Sequence, residues 1–160
     1  MKRFFLYGLV SATVLILALK IRNHFFIPEL PIGKTSLISE DGSKLEIEQL
    51  EQPYLLISCV QSWCGDCIRE TPSIQALQEK AGKEKLAVVM MSDEDWKKIR
   101  RFSELSHSSL PVWQSGTSLA DLGVRVFPTT WLLGPDRKVL LAKLEGYDWN
   151  SPEVHALLKR

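Results

Sequence analysis

Two nearly continuous apolar runs, Tyr54 to Val60 and Leu86 to Met91, constrain the fold more than any other feature of this chain. A strand that is apolar on consecutive residues has no polar face to offer water, so both of its faces must be covered. Between the runs, Ile68, Ile74 and Leu77 fall near one face of a helix that starts near Cys64 and reaches about Ala81, with charged residues elsewhere. Strand, helix and strand in that order make a βαβ unit with parallel strands. Pro72 lies inside the helix and predicts a kink.

The flanking sequence adds antiparallel pieces. Thr35 to Ile38 and Lys44 to Ile47 read as a hairpin around Asp41-Gly42, and Thr130 to Leu133 and Val139 to Lys143 as another around Gly134-Pro135-Asp136-Arg137. A second helix is expected to begin near Asp93 and to carry Trp96, Ile99, Arg100 and Phe102, and a short one to cover Ser118 to Leu122. Pro152 to Leu158 reads as a closing helix with Ser151 as its N-cap.

With 160 residues and 45% hydrophobic content, the chain can bury one real core and carry a short appendage. The appendage is N-terminal: Lys2 and Arg3 precede an apolar run from Phe4 to Leu19, which Lys20 and Arg22 close. That run makes about 24 Å of helix, short of a hydrocarbon core of roughly 30 Å unless the flanking basic side chains snorkel. An uncleaved membrane anchor is favoured over a signal peptide because Lys20 to Phe26 holds no small-x-small cleavage pair. Basic residues are nearly balanced on its two sides, so charge does not fix its orientation. The expected organisation is an anchor at 1–22, a linker at 23–30 and one globular domain at 31–160.

A net charge of +1 gives no field that would gather nucleic acid, so no nucleic-acid partner is expected. The cysteines, at 59, 64 and 67, are too close together to staple distant parts of a fold. His24, His107 and His155 are single and scattered, which argues against structural zinc, and no metal or cofactor is expected.

Chemistry concentrates in Trp63-Cys64-Gly65-Asp66-Cys67-Ile68-Arg69-Glu70-Thr71-Pro72. A Cys-x-x-Cys directly after a buried strand places its first sulfur at a helix N-terminus, where free N–H groups and the helix dipole favour the thiolate. Cys64 is therefore the attacking sulfur, and Cys67, one turn on, resolves the mixed disulfide. Glu70 shares that helical side and can accept the Cys67 proton if burial raises its pKa; the bland alternative is a solvated helix carboxylate. Far away in sequence, Val126-Phe127-Pro128-Thr129-Thr130 precedes a strand. A cis bond at Pro128 would turn the Phe127 backbone toward the cysteines and offer it to an extended substrate; an ordinary trans proline is the alternative.

Together these residues resemble the thioredoxin superfamily, and more narrowly its membrane-anchored TlpA/ResA-like thiol-disulfide oxidoreductases. The likeness runs from about Pro31 to Lys159. It rests on W-C-x-x-C-x-x-E-x-P at Trp63, Cys64, Cys67, Glu70 and Pro72, on Pro128-Thr129-Thr130, on a hairpin before the core and on an inserted helix at Asp93 to Ser106. The resemblance implies an α/β thioredoxin-like fold with a central mixed sheet flanked by helices, and a protein-disulfide reductase working on the periplasmic side of a membrane. It further implies disulfide-containing protein substrates, apocytochrome c among them, and a membrane thiol carrier as electron donor. Trp63, Phe127 and Pro128 would line the substrate site.

The family commonly has proline where this chain has Asp66. Gly65 and Asp66, between the cysteines, are expected to tune the pair: an ionised Asp66 opposes the Cys64 thiolate and makes the dithiol a stronger reductant, less so if water screens it. Cys59 shares a face with Leu55 and Ile57 and reads as a buried structural thiol. Trp96, Trp113, Trp131 and Trp149 read as packing residues. An oxidant or isomerase would use the same residues, since direction depends on potential and partner. A peroxidase is disfavoured by Gln61-Ser62-Trp63, and a copper(I)-holding module by the lack of a histidine near Pro128.

Overall fold

Alternation sorts the two central strands into two layers of core. In β3 (Tyr54–Cys59) and β4 (Leu86–Ser92) every residue is buried, and the two pair in parallel from Tyr54↔Leu86 to Cys59↔Met91. These assignments come from a computed structural model that describes Leu30 and residues 32–159. The expected anchor at 1–22 lies outside those residues, as does the linker apart from Leu30. No helix among the described residues is long and apolar enough to cross a membrane.

The crossover between β3 and β4 is α1 (Gly65–Ala81), which continues through Pro72. The expected hairpins form as β1 (Leu37–Ile38) with β2 (Lys44–Leu45), and β6 (Thr129–Leu133) with β7 (Val139–Leu144). With β5 (Val112–Ser115) they build a seven-stranded mixed sheet in the order β2-β1-β5-β4-β3-β6-β7. The fold is thus the thioredoxin-like α/β arrangement expected, with a hairpin before the core and an inserted helix, α2 (Trp96–Ser106), after β4.

On one face of the sheet Leu56, Val88, Met90 and Leu132 meet Ile74 and Leu77 of α1, Ile99 and Phe102 of α2, and Val154 of α3 (Pro152–Leu157). The opposite face, with Leu37, Leu55, Ile57, Val89, Met91, Trp131 and Leu133, is covered among the described residues by no α-helix but by Ile47 from the 3-10 turn Ile47–Gln49 and by Leu119 and Val124 from the connection before β6. Trp131 and Trp149 are fully buried, as packing residues should be.

Three local expectations are corrected. Ser118 to Leu122 is a run of turns, not a helix. Leu122 N–H reaches Ser118 O and Gly123 N–H reaches Ala120 O, but the left-handed Gly123 turns the chain before a second helical turn forms. The second helix begins at Trp96 rather than near Asp93, because Asp95 caps it by accepting from Lys98 N–H at 3.0 Å. Strand β5 is additional to the expected elements: it is four residues long and is held by pairing with β4 on one side and β1 on the other.

Removing the Trp131 side chain should leave a large cavity under the sheet. Trp131→Ala is expected to lower unfolding free energy by about 3–5 kcal/mol in urea titrations, whereas the exposed Trp63→Ala should change it by less than about 0.5 kcal/mol. Equal midpoints for the two variants would contradict this account of the core.

Candidate active site

Strand β3 delivers the chain to the site. Beyond it, Cys64 N–H donates to Gln61 O at 3.0 Å, and Cys64 becomes the N-cap of α1, its carbonyl accepting from Ile68 N–H and its sulfur from Cys67 N–H at 3.1 Å. The first sulfur is therefore the group that satisfies an orphan donor of the helix. Cys64 and Cys67 are joined in a disulfide with Cα atoms 5.3 Å apart, and both are buried. Trp63 stands outside at 70% exposure, its ring edge-to-face with Phe127 at 5.7 Å.

Glu70 is 4% exposed, not a solvated helix carboxylate. One oxygen accepts from Thr130 Oγ1 at 2.9 Å and the other from Tyr147 N–H at 3.0 Å. Thr130 Oγ1 in turn lies 2.8 Å from Ser58 Oγ, its register partner across β3 and β6. Loss of hydration pushes the Glu70 carboxyl up to about 7 and the Asp66 charge adds to this, against the opposing pull of Thr130 and Tyr147. The Trp149 indole N–H is near enough to act in the same sense as those donors, yet it has no hydrogen-bond partner of normal geometry among the described residues.

The Tyr147–Trp149 stretch is held against α1 by Ser73, whose hydroxyl donates to Glu70 O at 2.8 Å and accepts from Trp149 N–H at 3.1 Å. Asp66, Arg69, Glu70 and Tyr147 line a pocket of about 350 Å³ between them. Asp66 forms an ion pair with Arg69, so a cation stands beside the charge expected to oppose the thiolate. Gly65 is exposed, and a Cβ at that position would meet Arg69 Nη1 at 3.4 Å, an ordinary contact.

The Phe127–Pro128 bond is cis. Thr129 Oγ1 donates to Val126 O at 2.6 Å and Pro128 O accepts from Glu145 N–H at 3.0 Å, but the Phe127 amide and carbonyl make no hydrogen bond with another described residue. Their neighbours are thus fixed while they stay available. Phe127 also packs on the core that contains both active-site cysteines.

A second polar cluster, which has no signature in the sequence, secures the approach to Cys64. Glu94, just after β4, accepts from Ser62 N–H at 2.5 Å and from Ser62 Oγ at 3.0 Å, while Asp93 accepts from Gln61 Nε2 at 2.6 Å and Leu119 N–H at 2.8 Å. Ser58 and Ser73 escape a reading of the sequence, the one signal for Ser58 being a hydroxyl inside an otherwise apolar strand, and the Pro128-Thr129-Thr130 motif that contains Thr130 gives no sign of its bond to Glu70. Cys59 lies in the other core layer, where burial first and the Asp93 charge second push its thiol pKa up. Among the described residues no three of His, Cys, Asp and Glu are grouped to hold a metal.

Fold and site define the class: a thioredoxin-like fold that carries a Cys-x-x-Cys pair joined in a disulfide. The chain belongs to the AhpC/TSA family, matched over residues 29–142. It is 27% identical over 103 residues to the thioredoxin-like protein YneN of Bacillus subtilis, a match covering 61% of this chain and 60% of that protein's length. A putative thiol:disulfide interchange protein DsbE from Chlorobium tepidum shares its fold, with a TM-score of 0.65 at 19% identity over 78% of this chain and 89% of the other. StoA from Bacillus subtilis does so with a TM-score of 0.56 at 16% identity, over 78% and 93%.

Burial of Glu70 makes stability depend on pH. Between about pH 4.5 and pH 7 the folded chain keeps a Glu70 proton that the unfolded chain has released, so stability is full below that window and falls as pH rises through it, by about 3 kcal/mol. Glu70→Gln should flatten this part of the profile in urea unfolding at stepped pH. An unchanged slope would mean that Glu70 does not retain the proton.

Proposed function

We propose that this protein reduces protein disulfides outside the cytoplasm, through attack by Cys64 and resolution by Cys67. The observation that carries the reading is a buried carboxylate, Glu70, on the same helix as a cysteine pair whose first sulfur is the helix N-cap. In the reduced protein the Cys64 thiolate attacks one sulfur of a substrate disulfide, forming a mixed disulfide and releasing the other substrate sulfur as a thiolate. Cys67 then gives its proton to Glu70 and attacks Cys64 Sγ, which releases the second substrate thiolate. Two electrons pass to the substrate, and the protein is left with the Cys64–Cys67 disulfide seen here.

Substrate main chain would lie along Phe127, whose backbone groups are free of described partners, with Trp63 as an apolar wall. The basic-flanked apolar run at Phe4 to Leu19 supports a membrane anchor, and the TlpA/ResA-like resemblance supports a domain on the periplasmic side. Re-reduction then needs a membrane thiol carrier that brings electrons from the cytoplasm. The TlpA/ResA-like motif pattern points to apocytochrome c as a substrate, and so to cytochrome c maturation.

Equilibration in graded dithiothreitol and glutathione buffers, read by thiol alkylation, tests the direction. A midpoint near or below about −250 mV is expected for a reductant; one near about −120 to −180 mV would make the protein an oxidant or isomerase instead. Mixed with a disulfide-containing protein in the absence of added thiol, reduced Cys67→Ser should accumulate a mixed disulfide, and Cys64→Ser should form none.

A further inference from the structure

The Glu70 carboxylate is embedded in a hydroxyl ladder that crosses the sheet. We propose that Thr130, backed by Ser58, is the positioning residue that sets how readily Glu70 takes up and gives back a proton. This rests on the reading of Glu70 as the proton acceptor for Cys67 and adds to it the device that makes the acceptor reversible.

Geometry assigns the roles. A backbone N–H can only donate, so the Glu70 oxygen facing Tyr147 stays an acceptor in every protonation state. An added proton belongs on the other oxygen, 2.9 Å from Thr130 Oγ1. While Glu70 is charged, Thr130 donates to it and accepts from Ser58. Once Glu70 is protonated, the Thr130 hydroxyl rotates, accepts the carboxyl proton and donates to Ser58 Oγ at 2.8 Å. Neither state leaves Glu70 or Thr130 without a partner, although Ser58, Glu70 and Thr130 are all buried. A valine at position 130 would serve packing equally well but would offer neither state a bond.

The charged and titratable groups around Glu70 come from elsewhere. Asp66 and Arg69 lie on the first turns of α1, the dithiol lies just before and within them, and Tyr147 and Asp148 line the pocket from the stretch after β7. Lys143 of β7 sits over the Tyr147 ring at 4.3 Å. From β3 and β6 the ladder supplies only the two hydroxyls. Changing those hydroxyls therefore alters Glu70 without altering the charges near it.

The test is the titration of Glu70 in the full-length reduced protein by 13C NMR of labelled glutamate, with its signal assigned by its absence in Glu70→Gln. Alongside it, the pH dependence of Cys67 resolution is followed in a mixed disulfide with a small dithiodipyridine probe. Thr130→Val should raise the Glu70 midpoint by about one pH unit, a tenfold change in proton affinity, and carry the resolution profile up with it. Thr130→Ser should return both to near the parent values, and Ser58→Ala should give a smaller shift in the same direction. An unmoved Glu70 midpoint in Thr130→Val overturns the proposal. If that variant does not fold, Ser58→Ala decides, an upward shift supporting the proposal and none overturning it. A midpoint that moves while the resolution profile stays put leaves Thr130 in its role and removes Glu70 as the acceptor for Cys67.

Discussion

A carboxylate withdrawn from water has to be given either a proton or hydrogen-bond donors, and the structure around Glu70 supplies conditions for both. Helix α1 packs on the sheet face that carries Leu56, Val88 and Leu132, and there Glu70 meets Thr130 of β6. The stretch after β7 closes from the side, contributing the Tyr147 amide and the buried Trp149. Ser73 fastens that stretch to the helix through the same turn that carries Glu70. The surroundings of Glu70 are thus built from three parts of the chain, so its properties depend on the assembled fold rather than on the motif that contains it.

The cysteine pair is fixed from the other direction. Asp93 and Glu94 leave the end of β4 and hold Gln61 and Ser62, the residues that lead into Trp63 and Cys64. Parallel pairing puts the ends of β3 and β4 side by side, so the acidic residues after one strand reach the loop after the other. The cis bond at Phe127 stands beside this edge, because β6 pairs with β3 from Cys59↔Thr129 inward. The cysteine pair and the cis-proline turn therefore gather at one end of the sheet.

Features that repeat or have a period are the ones legible in the sequence. The double-faced strands, the crossover helix, both hairpins and the cysteine motif each have a local signature, and each is present in the fold. Strand β5 has four residues and no isolated stability, so its identity depends on neighbours distant in sequence. The turns at 119–123 fail as a helix because the left-handed Gly123 ends them after one turn, while Leu119 gives its amide to Asp93, a long-range bond that no periodicity reports. The same holds for the bond between Ser58 and Thr130, which exists only because the register of β3 and β6 sets the two opposite each other. Glu70 itself is visible as a residue, while its burial depends on elements more than 50 residues away in the chain.

The two layers of core have a further consequence for sulfur chemistry. Cys59 lies only five positions before Cys64, yet its side chain belongs to the layer that no described α-helix covers, while the disulfide belongs to the helical one. Thiol exchange requires three sulfurs in line and a thiolate to begin it. The sheet stands between Cys59 and the pair, and burial holds the Cys59 thiol in its protonated form. A chain with three neighbouring cysteines is in this way kept from scrambling its own disulfide, with the sheet as insulation.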